Sequence, residues 1–401
     1  MATKTVTFGA VGDIDMSRGS AQNMKANGMM WPFEKMLPAL RQAQVLFGNF
    51  ESVILPANFP MDMADPKGMV DQFDGSEALA GAGFDFMNLA ANHILDGGVV
   101  GMFSTQERIE ARGIATGGIG HDSDQARRMR VIQKAGLKWG FLCYCEDTNY
   151  SLSSRGPGHA YYVIQDILDD VRANRPAVDV LVVSIHADLE FMETPSAPRR
   201  ENFRRIAAAG ATIVLGHHPH VPQGIELIDG SLIAYSLGNF FFRSHSGKYM
   251  KENGPHTAES FVLLAEVSPG RVESFRRIPA FMDEPPNERP VPAEGERQRQ
   301  LLAYFEELDR KVRDDAIVAA NWRAISLAHL DSYLERFKTA SRQDVLEDFL
   351  GRLLLVAENR SWVDEVMAAA KERWDRQASQ VHQHHRPHFV MQSRAKRNWQ
   401  E

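Results

Sequence analysis

Cysteine is nearly absent: two occur in 401 residues, Cys143 and Cys145. That scarcity excludes a disulfide scaffold, and the apolar run around the pair marks both as expected buried, free thiols. No apolar stretch approaches the roughly eighteen residues of a membrane-spanning helix. A signal-peptide pattern is missing as well, because Met-Ala-Thr-Lys-Thr-Val-Thr-Phe leads directly into a strand pattern with no apolar h-region. Positive charge is not in excess either. Forty-five Lys and Arg stand against 52 Asp and Glu, a net charge of −7, and the two signs are interleaved, so no broad basic surface is available to nucleic acid. No internal repeat is present. These absences lead to the expectation of a cytoplasmic protein with no membrane or nucleic-acid partner, acting on a small molecule.

What the chain does have is 44% hydrophobic and 24% charged residues, the balance of a globular protein with a sizeable core. Short apolar runs alternate with helical stretches through residue 280, the pattern of a layered α/β fold. Expected strands are Thr5–Val11, Val45–Asn49, Phe86–Leu89, Trp139–Tyr144, Val180–Ile185, Thr212–Leu215, Leu232–Tyr235 and Phe261–Val267. The stretch 281–296 is rich in proline and charge and reads as a surface linker. From 297 to 380 apolar residues recur at helical spacing, as in Leu301, Leu302, Phe305 and Leu308, then Val345, Leu346, Phe349, Leu353 and Val356. They predict an extension of three to five helices, able to act as a lid or a homodimer contact. The segment 381–401 is a polar tail with His382, His384, His385 and His388.

Chemistry concentrates where strands end. Gly12-Asp13-Ile14-Asp15 follows the first strand and Gly48-Asn49-Phe50-Glu51 the second, with an amide beside the Glu51 carboxylate. Asn88-Leu89-Ala90-Ala91-Asn92-His93-Ile94-Leu95-Asp96 follows the third. His186 closes Leu-Val-Val-Ser-Ile, and Gly216-His217-His218-Pro219-His220 puts three imidazoles after Thr-Ile-Val-Leu. Singly, each cluster reads as a cap, a turn or a satisfied loop histidine. Jointly they offer the oxygen and imidazole donors that divalent transition metals accept. No thiolate takes part, which argues against structural zinc. Six or seven such ligands exceed what one catalytic ion takes while keeping room for water; two ions about 3.5–4 Å apart, bridged by a carboxylate, accommodate them.

Val-Gly-Asp, Gly-Asn-Phe-Glu, Leu-Ala-Ala-Asn-His-Ile-Leu-Asp, Ile-His-Ala-Asp-Leu-Glu-Phe, Leu-Gly-His-His-Pro-His-Val and Tyr-Ser-Leu-Gly-Asn-Phe occur in the order and spacing of the bacterial CapA family. That family of capsule and poly-gamma-glutamate synthesis proteins belongs to the calcineurin-like metallophosphoesterase superfamily, and the resemblance covers residues 5 to 280. It implies a four-layer α-β-β-α sandwich, residues 1–280, with a dinuclear centre between the sheet edges. Carried over by position, Asp13 looks like a ligand of one ion, Glu51 like the bridging carboxylate and Asn92 like the amide ligand of the other ion. His186, His218 and His220 look like the imidazole ligands, and His93 like the non-ligand histidine that contacts substrate and acts as general acid. Two carboxylates depart from the family pattern. Asp15 lies where the superfamily has histidine and becomes a candidate seventh ligand. Asp188 stands where the family has glycine; if the strand runs on beyond His186 it shares that residue's face, as an extra ligand or a catalytic base, and if the strand has turned it is a surface residue.

The resemblance points to a two-metal enzyme, loaded with Mn, Fe or Zn, in which a hydroxide held between the ions attacks an ester, amide or phosphoester. Arg18 and Asn239 are candidate substrate contacts, with Arg199, Arg200 and Lys248 as further candidates for a phosphate clamp. The alternative is a metal-dependent lyase acting on a small hydroxylated, aromatic substrate, suggested by the added carboxylates and by Met29-Met30-Trp31, Phe191-Met192 and Phe240-Phe241-Phe242 as pocket walls. A non-catalytic binding scaffold is the remaining reading, disfavoured because buried ligands without an ion are costly.

Overall fold

In the computed structural model, residues 5–64, 68–146, 156–341 and 357–381 are described. The first half of the chain contributes β1 (Val6–Ile14), β2 (Val45–Phe50), β3 (Val53–Ile54), β4 (Val70–Asp71), β5 (Phe86–Asn88), β6 (Ala115–Gly117), β7 (Ile119–Gly120), β8 (Arg130–Lys134) and β9 (Leu137–Cys145). The second half adds β10 (Gly158–His159), β11 (Val180–His186), β12 (Ile213–His217), β13 (Ile225–Ile228), β14 (Ser231–Ala234), β15 (Asn239–Phe241), β16 (Glu259–Ser268), β17 (Arg271–Met282) and β18 (Pro290–Pro292). Every strand expected from the sequence is present, displaced by a few residues at most.

Two sheets carry the fold. One runs β18-β17-β16-β1-β2-β5-β6, with β15 also paired to β1, and the other runs β13-β14-β12-β11-β9-β8. Alternate residues of β1, β2 and β5 (Phe8, Ala10, Phe47, Phe86) meet alternate residues of β9, β11 and β12 (Trp139, Phe141, Val182, Leu215) in the layer between the sheets, as the two-residue period of a strand requires. The rings of Phe86 and Phe141 stack with centroids 4.0 Å apart, and Phe47 stacks on both. Cys143 and Cys145 lie in the same layer and are free.

The outer faces are covered by helices, so the expected four layers, α-β-β-α, are observed. Helices Ser76–Ala82 and Gly98–Glu110 bury Ala78, Leu79, Met102 and Ile109 against the first sheet. On the second sheet, Ile167, Leu168 and Val171 form the apolar stripe of helix Ile164–Asn174, and Phe203 and Ile206 that of Ala197–Ala208. Ser196 caps the latter by accepting a hydrogen bond from the Arg199 amide, and Pro198 occupies the first turn, where a missing N–H costs nothing.

The stretch expected as a linker is partly built into the sheet: β17 runs to Met282, and Pro290–Pro292 adds the edge strand β18. Proline cannot donate to a ladder, so it is tolerated at such an edge and not inside. Helix Gly295–Arg313 is no loose appendage either, because Leu301, Phe305 and Leu308 close the inter-sheet core. Two more helices, Asp315–Thr339 and Ala357–Val381, follow among the described residues. Trp322 and Trp362 on them pack with Leu189 and Met192 of the loop after β11. Val345, Leu346, Phe349, Leu353 and Val356 and the histidine-rich tail lie outside the described residues.

Truncating Phe141 to alanine removes the ring at the centre of the inter-sheet stack. We expect Phe141→Ala to lower stability by about 3–5 kcal/mol, the usual cost of emptying a phenylalanine site in a core, measured by urea denaturation.

Candidate metal centre

The carboxyl ends of β1, β2 and β5 from one sheet meet those of β11 and β12 from the other, the edge at which layered α/β folds assemble sites. At its last residues β1 exchanges β16 for β15, and Asp13 falls in register with Asn49 on one side and Asn239 on the other. That crossing demands glycine before the aspartate. A Cβ on Gly12 would sit 1.8 Å from the Gly238 carbonyl oxygen, which accepts the Asp13 amide at 2.9 Å. Gly216 plays the same part in the other sheet, with the Tyr235 carbonyl oxygen 1.8 Å from its would-be Cβ. Beyond it, His218 and His220 adopt φ values of 93° and 58°. Non-glycine residues in this left-handed region cost about 1–3 kcal/mol each and persist where surroundings enforce them.

Three overlapping groups of donors result, each with its atoms within 4.8 Å of one another: Asp13, Glu51 and His220; Glu51, His186 and His218; Glu190, His218 and His220. Glu51 Oε1 lies 3.7 Å from His186 Nε2 and 3.8 Å from His220 Nε2. Asn92 Oδ1 is 2.9 Å from His186 Nε2. Ligands about 2.1 Å from one ion stand about 3.0 Å apart at a right angle and about 4.2 Å when opposed, so these separations suit shared cations.

Burial supplies an independent test of fit. Among the described residues, neither oxygen of fully buried Glu51 and neither ring nitrogen of His218 has a hydrogen-bond partner. Buried polar atoms are ordinarily satisfied, and a divalent cation would satisfy both residues together.

The electrostatics point the same way. Burial pushes the Glu51 carboxyl well above its ordinary range, and the charges of Asp13, Asp15 and Glu190 add to that rise against His220. Burial drives His186 well below the usual imidazole value and His218 down to about 4, leaving neutral rings, the form that binds metal. For His220 burial acts in the same sense but is outweighed by Glu51 and Glu190, which lift it to about 10.

Side chains outside the donor groups still orient the site. Asn49 Nδ2 donates to Asp13 Oδ1 at 2.8 Å and lies 3.2 Å from His186 Nδ1, so the amide beside Glu51 in sequence steers two other candidate ligands. Asn88 Nδ2 in turn donates to Asn49 Oδ1 at 2.6 Å. His93 bears electrostatically on His186 and His218, and its Nδ1 meets Asp96 Oδ2 at 2.7 Å.

Four of the expected site residues stand outside the donor groups. Asp15 belongs to none of the donor groups; its Oδ1 is taken by the Ser17 amide and hydroxyl at 2.7 and 2.6 Å. Asp188 is likewise outside them, because β11 ends at His186 and Asp188 turns at φ 93°. Its Oδ2 accepts the Ser196 amide at 2.8 Å, at the entrance of helix Ala197–Ala208. Asn239 is fully buried, and its Oδ1 lies 2.9 Å from His220 Nδ1, where it positions that ring. Arg18 is exposed and its guanidinium binds the Gly68 carbonyl.

Nor do the other clamp candidates reach in: Arg199 pairs with Glu146, Arg200 with Asp315, and Lys248 with Glu252. Of the aromatic runs, Phe240 and Phe241 are core, whereas Phe242 and Phe191 flank the His220 ring at 4.9 and 6.2 Å. Glu190 was missed by sequence reasoning. It stands in Ile-His-Ala-Asp-Leu-Glu-Phe, four residues after His186, and only the turn at Asp188 brings it, and not Asp188, to the histidines.

A four-layer sandwich with carboxylates and imidazoles gathered where the strands of both sheets end defines a metallophosphoesterase-like protein with candidate sites for divalent metal. More particularly, the chain belongs to the bacterial capsule synthesis protein family PGA_cap, which matches residues 7–244. It is 29% identical over 237 residues to the PGA biosynthesis protein CapA of Bacillus subtilis, covering 58% of this chain and 62% of that protein. Similarity to the capsule biosynthesis protein CapA of Bacillus anthracis is 28% over 246 residues, covering 59% and 60%. The chain thus spans about three fifths of the length of these curated relatives. Among solved structures, a 5'-nucleotidase precursor from Thermus thermophilus aligns at 10% identity with a TM-score of 0.41, over 77% of this chain and 60% of that one. No helix among the described residues is long and apolar enough to cross a membrane.

His218→Ala and Asp13→Ala are each expected to lower the metal content of the purified protein with little change in its circular dichroism, since each removes a donor and opens no hole in a sheet core. Asp188→Ala should do the opposite. It deletes an acceptor at a helix entrance, so we expect a loss of about 1–2 kcal/mol in denaturant unfolding with metal content retained.

Proposed function

We propose that this chain is a dinuclear metal-dependent hydrolase whose two ions share Glu51. The observation that carries the reading is the membership of Glu51 in two donor groups, with Asp13 and His220 on one side and His186 and His218 on the other, while its own oxygens lack hydrogen-bond partners. Asn92 joins the His186 side. When bound, two divalent ions, Mn, Fe or Zn, supply Lewis-acid activation of water and of a substrate oxygen.

The protein's own groups do the rest. Asp13, held by Asn49, and His220, held by Asn239, keep fixed orientations toward the centre. Asp96 accepts from His93 Nδ1 and thereby leaves Nε2 to pass a proton to the leaving group of an ester, amide or phosphoester. The names of the relatives, PGA and capsule biosynthesis proteins, put amide-linked polymers beside small phosphoesters in the set to be screened. We assign the enzyme to the cytoplasm, in keeping with its two free thiols.

One observation favours a second reading, a lyase acting on a small hydroxylated, aromatic substrate. Met69, Phe242 and Met250, with Phe191 packed on them, form an apolar rim beside His220. Turnover in 18O-labelled water separates the two, because hydrolysis places the label in product and a lyase does not require it.

The hydrolase reading is tested by elemental analysis together with His93→Ala. Two ions per chain are expected in the native protein, and in the variant a turnover lower by about two to four orders of magnitude, the usual contribution of a general acid, with metal occupancy unchanged. A native protein that takes up no metal from supplemented buffer would sink the proposal.

A further inference from the structure

Glu190 is the one member of the donor groups that neither strand end delivers. It sits in the loop after β11, partly exposed, with Oε1 3.6 Å from His220 Nε2 and with its other oxygen accepting from the Tyr249 hydroxyl. The backbone on both sides is strained, at φ 93° in Asp188 and 64° in Phe191, and the Phe191 amide donates to the Pro219 carbonyl at 2.8 Å. Strain of this kind survives where packing over-determines it.

The packing comes from the helices after residue 294. Leu189 and Met192, on either side of Glu190, are buried with Trp322 and Trp362. Glu193 accepts from the Tyr304 hydroxyl at 3.1 Å and from Lys311 Nζ at 3.0 Å. Thr194 is reached by Asn321 at 3.4 Å. These holds come from the helical extension, and with His256 on Glu193 and Gln223 on the Met192 carbonyl they leave Glu190 facing the histidines.

We propose that Glu190 is a third carboxylate ligand of the centre, joining His220 on the Asp13 side, and that the C-terminal helices hold it there. The donor atoms of Glu190, His218 and His220 lie within 4.8 Å of one another, so the carboxylate faces the same centre as both histidines. The separations agree: 3.6 Å between Glu190 and His220 lies between the right-angled and opposed spacings of ligands about 2.1 Å from one ion. The extension is thereby part of the metal site, and neither a lid nor a separate module. This inference rests on the two-metal reading above.

The test is binding of Mn2+ to the metal-free full chain, followed by titration calorimetry with the stoichiometry checked by elemental analysis. Outer-sphere losses cost metal sites about ten- to a hundredfold in affinity, so loss of a ligand in Glu190→Gln should weaken one of two sites by at least about tenfold. The pair Tyr304→Phe with Lys311→Met removes two partners of Glu193, leaving His256 at 3.2 Å, touches no ligand, and should weaken the same site by about three- to tenfold. Should that pair melt early in thermal denaturation, Tyr304→Phe alone, which deletes one hydroxyl, carries the same reading with a smaller shift. Unchanged affinity at both sites in Glu190→Gln overturns the ligand assignment, and a shift in that variant without one in the helix variants overturns the role of the extension. Native protein that binds no Mn2+ removes the two-metal reading as well, whereas native protein binding two ions alongside an unaltered Glu190→Gln removes this inference alone.

Discussion

A buried carboxylate with no hydrogen bond to either oxygen is the constraint around which the rest of this structure is arranged. Glu51 is fully enclosed, and desolvating a carboxylate costs several kcal/mol unless an opposite charge stands against it. Imidazoles alone answer the need incompletely, because burial suppresses the charge of His186 and His218 while raising the affinity of Glu51 for a proton. Divalent cations would resolve both difficulties at once, neutralising the carboxylate and taking neutral imidazole nitrogens as ligands. The surrounding asparagines then have a clear task. Asn88, Asn49 and Asn239 hand fixed orientations to Asp13, His186 and His220, as outer-shell partners of metal ligands do.

Bringing these residues together required two sheets to meet at one edge with little clearance. Within each sheet, Gly12 and Gly216 mark close approaches of neighbouring segments, each facing a carbonyl oxygen where any side chain would collide. Non-glycine residues in left-handed conformations follow, at His218 and His220 in one loop and at Asp188 and Phe191 in the next. The stacked phenylalanines between the sheets and the helices outside them are the rigid frame against which this strain is held. Stability invested in the frame is what allows unfavourable backbone to persist at the site.

The helical extension alters how the family frame is used. Its first helix closes the inter-sheet core with Leu301, Phe305 and Leu308, and its second carries Trp322 onto the loop bearing Glu190. Residues beyond the matched stretch 7–244 therefore brace residues within it. A reading that treated them as a separate domain would lose that connection.

Much was legible before any coordinates. Apolar runs with a two-residue period gave the strands and their order, because alternation is a local property of strand geometry. Five motifs at strand ends, read through the family resemblance, pointed to Asp13, Glu51, Asn92, His186, His218 and His220, because each lies at or within a few residues of its strand's end and cannot move far from it. What lay further along a loop was decided by tertiary structure. Extending the strand past His186 put Asp188 at the centre, yet a single positive φ exchanged it for Glu190, and no local signal in Ala-Asp-Leu-Glu fixes that turn; contacts with Pro219, Trp322 and Trp362 do. The same holds for Asn239, whose residue type suits substrate or histidine equally until burial between β1 and Thr257 leaves it only His220. Local sequence determined which residues arrive at the sheet edge; the packing of distant segments decided which way they face.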